Sequence, residues 1–180
     1  MTTETIGAGQ AASNGSAADL DLGAQLAGKY MTFKLADEEY GLAILKVREI
    51  IGLMDITRVP RSAEFIRGVI NLRGKVIPVV DLRQKFGMER CEATDQTVII
   101  VVQYALGDRM VTMGILVDQV LEVLSIEAGQ IEPPPVCGSG VCEADFILGV
   151  GKSEKRVIFL LDIGRVLSNE EALQAVQAAA

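Results

Sequence analysis

The chain has 180 residues, of which 49% are hydrophobic, and its formal net charge is −7. An acidic protein lacks the basic surface that binding to nucleic acid or to an anionic membrane requires, so both partner classes are disfavoured. The sequence contains no histidine and no tryptophan, which excludes a Ser-His-Asp triad, a histidine-ligated zinc site and phosphorylation on histidine, and leaves few rings for base stacking.

The N-terminal residues 1–28 are mainly Ala, Gly, Ser, Thr and Gln with a few acids. They lack the basic and apolar regions of a signal peptide, and they carry too little apolar surface to offset the entropy of folding. We therefore expect a disordered N-terminal tail over 1–28 and a folded body over 29–168. Because the apolar runs of the body are too short to span a bilayer, we expect a cytoplasmic protein without direct membrane insertion.

Short strands separated by turn residues dominate the body. Arg73-Gly74 and Leu106-Gly-Asp108 each separate two apolar runs, so each predicts a β-hairpin. The predicted strands cover 31–35, 40–44, 69–72, 76–80, 97–104, 109–117, 120–126 and 157–161. The predicted helices cover 45–50, 82–86 and 163–167. Such a series is typical of closed β-barrels or a sandwich. A capping-box pattern at Ser168 and Glu171 predicts a helical C-terminal tail over 169–180.

Two stretches of the body repeat within the chain. Residues 66–82 align without gaps on residues 147–163, and residues 41–50 align on residues 114–123. The identical positions include Gly41/Gly114, Gly68/Gly149 and Asp81/Asp162. Two matches in the same order indicate an internal duplication. We expect each half to form one small barrel, with a seam between the barrels where partners or ligands dock.

The three cysteines, Cys91, Cys137 and Cys142, do not form a disulfide or metal framework. Their number is odd, and Cys137 and Cys142 are spaced too widely for a C-x-x-C pair. The chain also offers no further soft ligands to complete a metal site. We therefore expect inert thiols, no metal and no cofactor.

Charged residues at turns and helix starts are the remaining candidates for chemistry. Asp81 and Asp162 could form a carboxylate pair, but we favour a capping role for each at the following helix, since no nucleophile accompanies them. Arg73 is either a solvated turn residue or a partner contact, and Glu49 is interpreted as a solvated carboxylate. Residues 58–90 hold eight basic and three acidic residues, against nine basic and 21 acidic elsewhere, which suits an acidic protein partner.

Three segments, 37–50, 56–60 and 65–83, closely resemble the CheW family, the adaptor proteins of bacterial chemotaxis. The most specific stretch is Arg67-Gly-Val-Ile-Asn-Leu-Arg-Gly74. The resemblance covers essentially the whole body. It implies a mainly β fold of two SH3-like five-stranded β-barrels, intertwined as subdomains of one CheW-like domain over 29–168, with short helices and a C-terminal helical segment.

The resemblance also implies a scaffold that is not an enzyme. Such a scaffold couples the cytoplasmic tips of methyl-accepting chemoreceptors to the regulatory domain of the histidine kinase CheA. Helix-in-groove recognition is implied for the receptor tip, which docks in an apolar groove between the barrels. The receptor-binding residues are then Ile44, Val47, Glu49, Gly68, Arg73 and Val98.

For the kinase, the internal repeat suggests two loops that combine apolar residues with proline, 56–60 and 131–137. Rigid apolar loops lose little entropy on docking. The kinase-binding residues are then Ile56, Arg58, Val59, Pro60, Ile131, Glu132, Pro133 and Cys137. Scaffold and kinase are expected to join barrel to barrel in rings, so that the chain is recruited to membrane-associated receptor arrays.

Three alternatives stay open. An adaptor of a related, non-motility chemosensory pathway would have the same sequence features, because only its partners differ. A small-molecule-binding β-barrel protein would use the seam as its pocket and would need convergent polar groups there. A structural protein would self-associate in rings through its barrels.

Overall fold

The computed structural model describes residues 17–135 and 145–167, which form eleven strands and three short helices. The strands are β1 (Gly28–Leu35), β2 (Glu38–Ala43), β3 (Val47–Gly52), β4 (Ile66–Leu72), β5 (Lys75–Asp81), β6 (Val98–Leu106), β7 (Arg109–Val117), β8 (Gln119–Ile126), β9 (Ile131–Glu132), β10 (Ile147–Ser153) and β11 (Arg156–Leu161). The helices are α1 (Ala17–Leu26), α2 (Leu82–Lys85) and α3 (Ile163–Val166), and 3₁₀ turns cover Ile44–Lys46 and Ala128–Gln130. No helix within the described ranges is long and apolar enough to cross a membrane.

The strands form two sheets, which confirms the predicted mainly β fold. The first sheet, called barrel A, has the strand order β8-β1-β2-β11-β10-β9. The second, called barrel B, has the order β3-β6-β7-β5-β4. Neighbouring strands are antiparallel except for the parallel pairs β2–β11 and β5–β7. Since β9 is only two residues long, five longer strands make up each barrel.

The two repeats do not each form a barrel, so this part of the sequence prediction is wrong. The first repeat places β1 and β2 in barrel A but β3, β4 and β5 in barrel B. The second repeat does the reverse, with β6 and β7 in barrel B and β8, β10 and β11 in barrel A. The single residue Asp118 between β7 and β8 is too short a link for a β-hairpin, so β8 cannot return beside β7. The barrels are intertwined because each contains strands from both repeats.

Repeat-related glycines occupy equivalent positions in the two barrels. The pairing register shifts next to Gly68 in β4 and next to Gly149 in β10. At Gly68, φ is +142° and a side chain would collide with the carbonyl of Thr57. At Gly149, a Cβ would come within 2.9 Å of the carbonyl oxygen of Glu132. Both close backbone approaches exclude a side chain, which explains why the repeats share these glycines.

Asp81 and Asp162 are helix caps, as the sequence predicts. An Oδ1 atom of Asp81 accepts a hydrogen bond from the backbone N–H of Arg83 at 3.0 Å. Asp162 accepts in the same way from the backbone N–H of Arg165 at 3.2 Å. Each carboxylate therefore satisfies a free N–H at the start of a helix, α2 or α3, and the two have the same structural role.

One hydrophobic cluster runs through both barrels. It includes the fully buried side chains of Phe33 and Leu42 from barrel A and of Val80, Ile100 and Ile115 from barrel B. Two smaller clusters lie within one barrel each. Burial of each such side chain stabilises the fold by about 1.5–3 kcal/mol. Because the largest cluster is shared, the stability of each barrel depends on the other.

Residues 45–50 form the end of a 3₁₀ turn and the start of β3, so the predicted helix is wrong. Along β3, exposure alternates: Val47, Glu49 and Ile51 are half-buried, and the residues between them are exposed. Packing in a sheet gives side-chain exposure a period of two residues, and here this packing outweighs the helical propensity of the segment. Strands β9 and β10 are also absent from the sequence prediction. In β10, Gly149 and Gly151 weaken the strand pattern, and β9, with two residues, is too short to show an alternating pattern.

The predicted disorder of residues 1–28 is wrong for residues 17–28, where α1 and the start of β1 form. Gly23 lets α1 approach the backbone of Ala128 so closely that a side chain would collide with its carbonyl. Leu26 of α1 also packs against the smaller cluster of barrel A, and such apolar packing offsets the ordering entropy of a segment whose composition alone predicts disorder. Residues 1–16 and 168–180 lie outside the described residues. They contain the rest of the predicted N-terminal tail and the predicted helical C-terminal tail.

Candidate functional site

Arg73 lies at the turn of the β4–β5 hairpin, as the sequence predicts. Arg73 and Gly74 have φ values of +52° and +84°, the two positive values that a type I′ turn requires. The side-chain Oδ1 of Asn71 accepts a hydrogen bond from the N–H of Gly74 at 2.9 Å and holds the turn. Since the Arg73 side chain is 75% exposed, the hairpin presents a guanidinium at the surface on an ordered support.

Glu49 and Arg73 form an ion pair between the two edge strands of barrel B. Glu49 belongs to β3, and Arg73 follows β4. The Arg73 Nη1 and Nη2 atoms lie 3.0 Å from Oε1 and 2.8 Å from Oε2 of Glu49, so the contact is bidentate. An ion pair exposed to this degree contributes no more than about 1 kcal/mol to stability. A partner can therefore engage either group at little cost to the fold.

A cavity of about 260 Å³ opens beside this ion pair. Its polar lining adds the side chains of Arg48, Lys75, Gln103 and Thr112. Its apolar lining consists of Leu72, Ile77 and Val101. This combination of polar and apolar side chains is suited to a protein segment, because interfaces combine apolar contact with a few directional hydrogen bonds.

Of the six residues predicted to bind a receptor, only the two of the ion pair line this cavity. Ile44, Val47 and Val98 are half-buried and pack against the cluster shared by the barrels. Gly68 is buried against Thr57. The structure thus gives these four residues partners within the chain, and their contribution to binding stays a prediction.

The two loops predicted to bind the kinase are equivalent in the structure. Thr57 exchanges two backbone hydrogen bonds of 2.8 Å with Val69 of β4. Glu132 pairs with Val150 of β10, the residue related to Val69 by the repeat. The loops therefore lie at matching edges, one on each barrel.

The residues predicted to bind the kinase differ in exposure. Ile56 and Val59 are half-buried, Arg58, Pro60 and Pro133 are exposed, and Ile131 is buried. Glu132 is exposed and forms an ion pair with Lys152 at 2.5 Å. Cys137 lies outside the described residues. The exposed members can contact a partner directly, while the others support the loops.

Asp118 joins three elements at the point where the chain changes barrels. Its carboxylate accepts hydrogen bonds from Nε of Arg83 at 2.7 and 2.9 Å and from the N–H of Ala36 at 2.8 Å. Burial acts to raise the pKa of Asp118, but the hydrogen bonds from Arg83 and Ala36 outweigh it and hold the pKa below its ordinary value. Asp118 therefore stays ionised at neutral pH and ties α2 to the β1–β2 turn.

The seam between the barrels is lined by aromatic rings. Tyr40, Phe86, Phe146 and Phe159 surround a cavity of about 390 Å³, and the stacked rings of Phe86 and Phe146 lie 4.8 Å apart. The Tyr40 hydroxyl donates to Glu38 at 2.6 Å, and burial together with this hydrogen bond raises the pKa of Tyr40. Glu38 is the one carboxylate in this lining, so the seam offers mainly apolar surface.

The sequence does not predict the roles of Arg48, Gln103, Thr112 and Asp118. Strand pairing brings the first three to one cavity, and the link between barrels positions the fourth. One signal in the sequence could have placed Arg48 on a strand. Residues 41–50 align with residues 114–123, most of which are predicted as strand.

Comparison with known proteins gives consistent matches over both barrels. A family profile described as "CheW-like domain" matches residues 29–171. A "Chemotaxis protein CheW" of Klebsiella aerogenes is 41% identical over 143 residues, which cover 79% of this chain and 83% of that protein. A "Chemotaxis protein CheW" of Bacillus subtilis is 33% identical over 148 residues, which cover 82% of this chain and 92% of that protein.

A solved structure has the same fold. The crystal structure of the scaffolding protein TtCheW from Thermoanaerobacter tengcongensis matches with a TM-score of 0.71 and 36% sequence identity. The match covers 81% of this chain and 96% of that one. The matched range 29–171 contains the strands of both barrels, Glu49 and Arg73 of the ion pair, and the two equivalent loops. The chain therefore belongs to the CheW-like domain family.

Proposed function

We propose that this chain is a non-catalytic chemotaxis scaffold that couples chemoreceptor tips to the regulatory domain of a CheA-type histidine kinase. The observation that carries this proposal is the family match over residues 29–171, which spans both barrels. Similarity to a scaffolding protein over 81% of the chain supports it. An exposed ion pair beside a cavity with polar and apolar lining is a feature of a protein-binding surface.

The receptor tip docks, in this proposal, beside the Glu49–Arg73 ion pair. A helical hairpin needs apolar surface for its anchor residues and polar groups that fix its register. Leu72, Ile77 and Val101 of the cavity lining supply the apolar surface, and the ion pair with Arg48 supplies the polar groups. The half-buried aliphatic residues of the predicted receptor set, Ile44, Val47 and Val98, pack against the cluster shared by the barrels.

The kinase contacts the loops 56–60 and 131–133, in this proposal. Because the loops occupy equivalent edges of the two barrels, one chain can join two neighbours. A heterologous contact of this kind generates a closed ring when the rotation between neighbours closes. Scaffold and kinase would alternate in such a ring, and the receptor contact would recruit it to receptor arrays at the membrane.

The proposal is tested by calorimetric titration of the full chain against a receptor tip hairpin and, separately, against the kinase regulatory domain. The variant Arg73→Glu should lose receptor binding and keep kinase binding. The charge-swapped variant Glu49→Arg/Arg73→Glu restores an internal ion pair and should still not bind the receptor, because the partner contacts the arginine itself. The variant Arg58→Glu/Val59→Ser should weaken kinase binding alone.

Arg109→Glu is the matched control, because Arg109 is exposed at the β6–β7 turn and lies in neither proposed surface. It should bind both partners like the wild type. Binding of neither partner by the folded wild-type chain would refute the scaffold proposal for this receptor and kinase. Binding to the receptor and kinase of a non-motility pathway instead would favour that alternative, which uses the same contacts.

A small-molecule carrier is the second candidate, because the seam cavity of about 390 Å³ lies within the size range of ligand sites. A ligand present at 100 times its Kd stabilises the folded state by about 2.7 kcal/mol. A metabolite panel in a thermal-shift assay would reveal such a ligand. A shift that Phe86→Ala abolishes would assign the ligand to the seam.

A further inference from the structure

A second polar cavity, of about 360 Å³, lies on barrel B between β4 and α2. Its charged and amide-bearing side chains are Arg58, Glu64, Arg67, Gln84 and Arg90. They come from three parts of the chain: the loop before β4, strand β4 itself, and α2 with the segment after it. The fold thus brings together arginines that are 32 residues apart in sequence.

The three arginines of this cavity have no carboxylate partner in the described part of the chain. Arg73, Arg83, Arg156 and Arg165 each form an ion pair with a carboxylate, whereas Arg48, Arg61 and Arg109 also form none within residues 17–135 and 145–167. Among the described residues, those of the cavity form none. With Glu64 as the one carboxylate in the lining, the cavity has an excess of positive charge in a chain whose net charge is −7.

Comparison of the two barrels shows that the fold does not need two of these arginines, Arg58 and Arg67. Barrel A has the same strand bridge and the same register shift as barrel B at the repeat-related positions. Pro133 and Leu148 stand there in place of Arg58 and Arg67. Because a proline and a leucine occupy the equivalent backbone positions, the local fold does not account for Arg58 and Arg67.

We propose that this cavity binds the carboxylates of an acidic segment of a partner protein. The planar guanidinium groups of Arg58, Arg67 and Arg90 can each form two parallel hydrogen bonds to a carboxylate. A set of separate single charges suits this lining better than one phosphate dianion, because the three arginines come from three separate parts of the chain. The inference rests on the proposed function, since Arg58 belongs to a loop proposed to contact the kinase, and it adds Arg67 and Arg90 to that contact.

The test uses a hexaglutamate peptide as the acidic probe, titrated calorimetrically into the full chain at low and at high salt. The cavity variant is Arg58→Gln/Arg67→Gln/Arg90→Gln. The control variant, Lys29→Gln/Arg109→Gln/Lys155→Gln, removes three exposed charges elsewhere on the described surface. Circular dichroism of each variant establishes that it is folded.

We expect the wild type and the control to bind the peptide, and the cavity variant to bind about tenfold more weakly, the change expected for three modest ion pairs. The salt dependence of the affinity should also be smaller for the cavity variant. Equal weakening in both variants, binding of inorganic phosphate without the peptide, or no binding by the wild type would each overturn the proposal.

A parallel titration with the kinase regulatory domain separates this inference from the proposed function. If the wild type binds the peptide through the cavity but binds neither kinase nor receptor, the scaffold proposal fails and the acidic-segment site stands. If the kinase binds the wild type and the cavity variant equally while the peptide does not bind, the site fails and the scaffold proposal stands.

Discussion

Replacement of Asp118 by asparagine should destabilise the fold by about 2 kcal/mol at neutral pH. The side chains of Arg83 and Asp118 are 17% and 29% exposed, so their ion pair lies between an exposed pair, worth up to about 1 kcal/mol, and a buried one, whose disruption costs about 3–5 kcal/mol. Hydrogen bonds to charged groups contribute about 1.5–3 kcal/mol each. The asparagine keeps the size of the side chain but removes the charge that Arg83 contacts.

The effect should depend on pH with a definite sign. The pKa of Asp118 is lower in the folded chain than its ordinary value of 3.8. The stabilisation is therefore fully present above about pH 4 and is lost as the pH falls through the folded pKa. The free energies of unfolding of the wild type and of Asp118→Asn should converge in acid, because the wild-type carboxyl is then neutral as well.

Urea unfolding followed by far-ultraviolet circular dichroism at neutral and at acid pH measures both effects. For a chain of this size, 2 kcal/mol corresponds to a loss of about 4–8 °C in Tm. Asp108→Asn, at the exposed β6–β7 turn, is the matched control and should unfold like the wild type. If Asp118→Asn also unfolds within about 0.5 kcal/mol of the wild type, the reasoning about this ion pair is wrong.

Three further predictions concern backbone contacts, buried tyrosines and the shared core. Gly68→Ala should lower the free energy of unfolding by at least about 2 kcal/mol, because the new Cβ would collide with the Thr57 carbonyl. The control Gly74→Ala, whose Cβ meets no atoms, should lower it by about 1 kcal/mol. Equal losses in urea unfolding would contradict the collision. Burial raises the pKa of all three tyrosines, that of Tyr104 to about 12. For Tyr104, the stabilisation from the protonated ring is therefore fully present below pH 10 and is lost as the pH rises through about 12, and an ultraviolet titration in which all three native tyrosines ionise near pH 10 would oppose this. Leu42→Ala should cost about 2–5 kcal/mol and leave a single unfolding transition, since its cluster spans both barrels; two separate transitions would show that the barrels are independent.

Local signals in the sequence are sufficient for much of the fold. The hairpins around Arg73-Gly74 and 106–108 and the capping aspartates were predictable because turn and cap chemistry depends on adjacent residues. The exchange of strands between repeats was not, because strand partners are chosen by packing over long sequence separations. Strand β3 was not predicted, because residues 45–50 have helical propensity and their pairing with the distant strand β6 outweighs it.

The candidate site was predictable in part. The sequence singles out Glu49 and Arg73 separately, and the structure shows that they form one ion pair. The sequence also shows a concentration of basic residues over 58–90. Which of these residues share a cavity depends on the packing of α2 against β4. Arg67 and Arg90 could not be distinguished from other solvated arginines without that packing.

The exchange of strands has a consequence for how such a chain could arise. A polypeptide with a single repeat would leave both of its partial sheets with open edges. Two identical copies could cover these edges only by exchanging strands in a symmetric, domain-swapped homodimer. Joining the two copies end to end would give the present topology. Symmetry would then no longer force one mutation to appear twice, so Arg58 could diverge from Pro133, and the two ends of a once-symmetric molecule could acquire different partners.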